Sequence, residues 1–187
     1  MGLTFIASAT ADDEDPATIS FIDGTGGVVF DNTYDEYQFY FVNIHPGTDN
    51  KIFQFQVNAT DDAGGGYDTS PITSTTFRAY HGEDDATAIV TYRDAMDEAN
   101  AANYQDLSEW GSTDNDASIS GTLTIYDPSS AYIKHFIAEV NDNYDGTSLA
   151  NYHVAGYIND RTAIDEINFM MDTGDIQSGT IYMYGVS

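Results

Sequence analysis

Four histidines and 31 acidic residues are the side chains of this 187-residue chain that could carry acid–base or metal chemistry. The histidines are dispersed, and no two of them have the spacing of a helical metal motif. They are His45, His81, His135 and His153. The chain has no cysteine, and it lacks the GxSxG, HExxH, P-loop and Rossmann glycine patterns. The residues therefore nominate no catalytic group, and no enzyme is predicted.

Glycoside hydrolysis would need only two carboxylates placed several ångströms apart on either side of a sugar. Among 31 acidic residues, some pair has that separation by chance, so the sequence cannot nominate one. A weakly hydrolytic domain stays open as an alternative, without assigned residues.

A calcium site is the better metal hypothesis, because Ca²⁺ takes carboxylate and carbonyl oxygens from Asp, Asn and Gly loops. The segment NDNYDG places Asn141, Asn143 and Asp145 at alternate positions before Gly146, as an EF-hand loop does. The first ligand is Asn, however, and the twelfth position is Tyr152 where an EF-hand has Glu. The three residues are thus candidates for a structural Ca²⁺ only, and no other cofactor is predicted.

Three aromatic residues in polar, loop-like sequence are candidates for glycan contact, since Tyr and Trp rings stack on sugars. Tyr104 and the single tryptophan, Trp110, lie in NYQDLSEWG, and Tyr67 follows a triple glycine. The alternative for Trp110 is a plug of the core beneath a long loop.

The charge of the chain excludes two classes of partner. Five Lys and Arg against 31 Asp and Glu give a net charge of -26, which repels nucleic-acid phosphates and anionic membranes. The self-repulsion is screened in salt, so a saline habitat or bound cations would relieve it. The first residues lack the basic and long apolar segments of a signal peptide or membrane anchor, so neither is predicted.

Short runs of alternating apolar and polar residues, separated by Gly, Asn, Asp and Pro clusters, predict an all-β fold. The expected architecture is a single-domain antiparallel β-sandwich, jelly-roll-like, over residues 1–187, with residues 1–16 an extended N-terminal arm. About ten strands are predicted: 18–22, 36–44, 52–58, 75–80, 88–93, 118–126, 133–141, 152–158, 164–171 and 180–186. The Ala-rich segment 93–103 has almost no apolar face and is predicted to be a loop.

The last two runs, 164–171 and 180–186, are predicted to pair as a hairpin, with Gly174 and Gly179 in its connection. Edge strands that carry Phe39 and Ile181 are expected to lie against a partner subunit.

Over nearly its full length, the chain resembles small virion structural proteins of tailed bacteriophages, particularly marine ones. The resemblance rests on LTFIASATA, NTYDEYQFYFVNIHPGTDNKIFQFQVN, STTFRAYH, DPSSAYIKHFIAEV, VAGYIND and SGTIYMYGVS.

That resemblance implies a non-enzymatic structural protein on the particle surface, as a tail-fibre or tail-tip component in host recognition or as a capsid decoration. It implies contacts with other virion proteins in a homo-oligomer or symmetric array, contact with host surface glycans, and assembly in the host cytoplasm. The alternative is a soluble carbohydrate-binding or weakly hydrolytic β-sandwich module.

Overall fold

The computed structural model describes residues 2–12, 16–60, 67, 69–144 and 146–187. Within them the chain forms thirteen strands and no helix, so no segment there is a helix that could cross a membrane. The strands are β1 Leu3–Ala11, β2 Thr18–Ile22, β3 Glu36–Pro46, β4 Phe53–Ala59, β5 Ile72–Gly82, β6 Ala88–Tyr92, β7 Ala99–Ala101, β8 Gln105–Asp106, β9 Ile119–Tyr126, β10 Lys134–Tyr144, β11 Ser148–Ile158, β12 Ile164–Met171 and β13 Ile176–Val186.

The strands make two antiparallel sheets. The larger has nine strands in the order β1-β13-β3-β9-β10-β11-β5-β6, with β7 also paired to β5, and the smaller has the order β2-β12-β4-β8. The prediction of an all-β antiparallel sandwich is confirmed. Consecutive strands β1 to β4 alternate between the two sheets, as do β12 and β13, and this order is compatible with a jelly roll.

An aromatic layer joins the two sheets. Phe39 and Phe41, at alternate positions of β3, point from the larger sheet towards the smaller one, and Phe53 of β4 points back towards them. Phe169 of β12 lies among these rings. Phe169 is fully buried, and its ring centroid is 5.3 Å from that of Phe41 and 5.5 Å from that of Phe39. Burial of these rings is the main apolar contribution to holding the sheets together.

The larger sheet extends past the smaller one, and the chain between β6 and β9 covers the extension. Met96 and Leu107 from this segment are buried against the inner face. Residues 93–103 of this segment were predicted to be a loop, and they contain the short strand β7; β8 follows them.

The predicted hairpin between the last two strands is wrong. The strand β12 pairs with β2 and β4 in the smaller sheet, whereas β13 pairs with β1 and β3 in the larger one. Gly174, with φ 80°, lies in the connection, but Gly179 lies in β13 at an irregularity opposite β3. Ile167 and Ile181 both point into the core, as predicted. Apolar and polar residues alternate in the same way on two strands that are paired in one sheet and on two strands that face each other from opposite sheets.

The predicted positions of Phe39 and Ile181 on edge strands are also wrong. The strand β3 lies between β13 and β9, and β13 lies between β1 and β3. Both side chains are fully buried within the chain, so neither reaches a partner. The edge strands of the larger sheet are β1 and β6. The sequence predicted an extended arm where β1 lies, and residues 1 and 13–15 of that arm lie outside the described residues.

Candidate functional site

Two of the three predicted glycan-contact residues come together, on the solvent side of the smaller sheet. The Tyr104 hydroxyl donates to Asn168 Oδ1 at 3.2 Å, and Asn168 Nδ2 donates to Ser20 Oγ at 2.8 Å. Burial raises the pKa of Tyr67 and of Tyr104, and the nearby Glu166 carboxylate acts in the same direction.

The amide groups beneath these tyrosines are already paired. Gln56 is fully buried, and its Nε2 donates to the carbonyl of Asn103 at 2.6 Å. Asn168 is also buried, with both of its polar atoms bonded within the chain. The two half-buried tyrosine rings are therefore the groups that a sugar would meet here.

Trp110 lies apart from these tyrosines. Its indole stacks on the Arg78 guanidinium, which is 4.4 Å from the ring centroid, and Tyr80 meets it edge-on at 6.3 Å. Its backbone N–H donates to Asp142 Oδ2 at 3.0 Å. Trp110 is half-buried and lies against Arg78 and Tyr80 of β5.

A buried charge cluster lies beside Trp110. Glu109 accepts from Arg78 Nη1 at 2.7 Å through Oε2 and from Arg93 Nη2 through Oε1. The Tyr152 hydroxyl, fully buried on β11, also donates to Glu109 Oε2 at 3.3 Å. A carboxylate held by two guanidinium groups and a phenol is not available as a general base, so this cluster fixes the covering segment to the sheet.

The buried carboxyl of Asp142 gives a pH-dependent contribution to stability. Burial raises its pKa to about 6, while hydrogen bonds from the backbone of Trp110 and Glu109 oppose the shift. Because this pKa is above the ordinary value of 3.8 for an Asp carboxyl, the folded state holds the proton more tightly between about pH 4 and pH 6. The free energy of unfolding should therefore fall as the pH rises through that window, by on the order of 3 kcal/mol from this group.

We expect Asp142→Asn to lose less stability than the wild type between pH 4 and pH 7, measured by urea unfolding at several pH values. The amide oxygen can still accept from the Trp110 N–H, but the side chain no longer titrates. Asp114→Asn, at an exposed position, controls for the general loss of one negative charge. Equal pH slopes for the wild type and Asp142→Asn would show that Asp142 is not the titrating group.

The predicted calcium residues do not form an ion-binding loop in the part that is described. Asn141 and Asn143 lie within β10, and the Asn141 Oδ1 atom accepts from Asn151 Nδ2 at 2.9 Å across the strand pair. Asp145 lies outside the described residues. Among the residues that are described, no group of three or more His, Asp or Glu side chains is placed to hold a metal ion.

The solvent side of the larger sheet is a broad surface, which we call the outer face. It is formed by the outward-pointing residues of eight strands, which lie side by side in the order β1-β13-β3-β9-β10-β11-β5-β6. Eight of the twelve exposed large apolar side chains lie on it: Leu3, Phe5, Val42, Phe77, Val90, Tyr92, Ile137 and Leu149.

The outer face is also poor in charge. Among its described strand residues, Glu36 and Glu139 are the only carboxylates, and there is no Lys or Arg. The chain carries 31 acidic residues in all, so nearly all of its negative charge lies elsewhere. A large apolar area with few charges on an acidic protein indicates an interaction surface.

Six of these eight side chains belong to two clusters at opposite ends of this face, whereas Val42 borders the first cluster and Ile137 on β10 lies between the two. The β1 cluster contains Leu3, Phe5, Tyr40, Tyr182 and Tyr184. Tyr184 meets the ring of Phe5 at 5.6 Å and that of Tyr40 at 5.4 Å, both edge-on. A shallow groove runs between Leu3 and these tyrosines.

The β6 cluster contains Phe77, Val90, Tyr92, Leu149 and His153. The His153 ring stacks on Phe77 with centroids 4.8 Å apart. Between the two clusters, β9 presents the polar row of Ser120, Thr122 and Thr124.

Sequence reasoning missed the outer face, although part of the signal is legible. The strands at its two ends, LTFIASATA and AIVTY, contain no charged residue in a chain of net charge -26. Edge strands usually carry charges that prevent pairing with other chains, so their absence is informative.

No protein-family model matches the chain, and no curated protein matches its sequence.

Proposed function

We propose that the chain is a non-enzymatic structural protein of a bacteriophage particle, displayed on the particle surface as a tail-fibre or tail-tip component or as a capsid decoration. The observation that carries the proposal is the outer face. It holds eight of the twelve exposed large apolar side chains, and only two carboxylates are present among its described strand residues.

Two further features support an assembly role. The sequence resembles small virion structural proteins from LTFIASATA near its start to SGTIYMYGVS at its end. In addition, the buried carboxylate Glu109 is saturated by Arg78, Arg93 and Tyr152, so it has a structural partner set and not a catalytic one.

The chemistry of the role follows from the distribution of charge. The outer face packs against neighbouring subunits in the particle, where burial of apolar area drives association. The acidic residues remain on the surfaces that face solvent, where they keep the particles soluble and apart.

The composition of purified particles tests this proposal. The chain, of 20.4 kDa, should remain with the particles through a density gradient run in high salt, because the contact is apolar and not ionic. If the chain is found only in the soluble fraction while the particles lack it, the proposed function is wrong.

Carbohydrate binding is the second candidate function, and it is favoured by the convergence of Tyr67 and Tyr104 on one surface. Stacking on a sugar would use these two rings without Trp110, which is committed to Arg78.

We expect any glycan that binds the isolated protein on an array to bind Tyr104→Ala at least about 5-fold more weakly, since stacking contributes about 1 kcal/mol or more per ring. Trp110→Phe, away from this surface, should leave the binding unchanged. Binding that survives Tyr104→Ala would place the sugar elsewhere.

A further inference from the structure

We infer that the outer face binds a second copy of the same chain, face to face, in a two-fold symmetric dimer. The inference deepens the proposed function, because it rests on the outer face being the contact surface and names the partner.

The charge of the chain selects this face for contact between copies. Each copy has a net charge of -26, so two copies repel when acidic surfaces approach within about 8–10 Å. The described strand residues of the outer face add only Glu36 and Glu139. Contact through this face therefore brings few strand carboxylates of the two copies together.

The order of side chains across the face is self-complementary. The midpoint of the eight-strand path lies between β9 and β10, with the β1 cluster on one side and the β6 cluster on the other. A two-fold axis in the plane of the face, parallel to the strands at this midpoint, places the β1 cluster of one copy over the β6 cluster of the other. The polar residues of β9 then meet the strand β10 of the second copy.

The same operation buries both acidic residues of the face. Glu139 lies on β10 beside the axis and approaches the Glu139 of the second copy, with His153 Nε2 of its own copy 3.8 Å from Oε1, whereas Glu36 lies nearer the rim. Glu36 and Tyr126 are cross-strand partners, and His135 and Tyr157 continue that part of the face on β10 and β11. The axis brings Glu36 of one copy towards Tyr157 and His135 of the other. Phenol and imidazole groups can donate hydrogen bonds to a carboxylate.

The area of the face is sufficient for a stable dimer. Eight strands at a spacing of about 4.8 Å and strands of about nine residues give roughly 34 Å by 30 Å, on the order of 1,000 Å². A standard specific interface buries about 800 Å² on each partner. Two sheets with the same twist can pack aligned at about -30° over such an area.

Light scattering of the full-length protein after size-exclusion chromatography, at micromolar concentration in physiological and in high salt, tests the inference. We expect twice the monomer mass of 20.4 kDa, with the dimer favoured further as salt screens the remaining charge. A monomer in both salts up to high micromolar concentration would overturn the inference.

Two variants test which surface associates. Phe5→Asp in the β1 cluster and Val90→Asp in the β6 cluster replace side chains that are 54% and 69% exposed, so the isolated fold should tolerate them. Each change appears twice in a two-fold dimer, and we expect each to weaken association about 100-fold or more. Ile22→Asp, on β2 of the smaller sheet and 43% exposed, is the matched control and should remain dimeric.

The variants also separate this inference from the proposed function. Circular dichroism should show that each variant is folded, and the uncharged change Val90→Ser should weaken the dimer less than Val90→Asp. Dimers that persist in both Asp variants would place the association elsewhere and overturn the inference. A monomeric wild type whose Asp variants are lost from particles would mean that the face binds a different virion protein, which overturns the second copy but retains the virion role.

Discussion

Phe169→Ala is expected to lower the free energy of unfolding by about 4 kcal/mol, the largest effect of any single core substitution proposed for this protein. The Phe169 ring is fully buried and lies within 6.3 Å, between centroids, of the rings of Phe21, Phe39, Phe41 and Phe53. Removing it leaves a cavity between the two sheets and deletes four aromatic contacts at once.

Urea unfolding followed by fluorescence measures this effect. The control is Tyr132→Ala, because Tyr132 is 76% exposed and off the outer face, and its loss should cost less than about 0.5 kcal/mol. A cost below about 1.5 kcal/mol for Phe169→Ala would mean that the sheets do not depend on this ring.

Glu109→Ala should lower the free energy of unfolding by about 3 kcal/mol, because it leaves the buried Arg78 guanidinium and the partly exposed Arg93 guanidinium without their shared carboxylate. The side chains of Arg78 and Glu109 are 11% and 10% exposed, so water replaces the lost bonds poorly. Tyr152, fully buried, would lose its acceptor as well.

The matching measurement is urea unfolding of Glu109→Ala, Glu109→Gln and the exposed control Glu83→Ala. Glu109→Gln keeps an acceptor oxygen but removes the charge, so its stability should lie between those of the wild type and Glu109→Ala. Glu83→Ala should change the free energy of unfolding by less than about 0.5 kcal/mol. If Glu109→Ala resembles Glu83→Ala, the buried ion cluster does not hold the covering segment.

Alternation of side chains was enough to predict the strands, because an inward residue on a strand is apolar whatever its neighbour is. The predicted runs 18–22 and 164–171 coincide with β2 and β12. Three strands were missed. The first, β1, was predicted to be part of an extended arm, and β7 and β8 have three and two residues and contain no β-branched or aromatic side chain.

The pairing of strands could not be predicted in the same way. The connection after Met171 contains Gly174 and reads as a hairpin turn, but it carries the chain from the smaller sheet to the larger one. Local sequence describes both kinds of connection equally well, since the choice depends on strands far along the chain.

The candidate surfaces depend on that same long-range information. Tyr67 and Tyr104 lie near each other. Trp110 lies elsewhere, against the guanidinium group of Arg78, which is 32 residues earlier in the chain. Phe39 and Ile181 were expected on edge strands at an interface, but β3 and β13 are interior strands and the edges of the larger sheet are β1 and β6. A strand has two sets of alternate residues, one on each face of its sheet. The set that faces solvent is determined only when the second sheet covers the other face.

The most direct test of the virion role is to label purified particles with an antibody to this chain and image them by electron microscopy. We expect regular label on every particle. Label at the tail would indicate a part in host adsorption, and an even coat over the head would indicate capsid decoration. Particles that carry no label, when the same antibody recognises the free protein, would contradict the virion role.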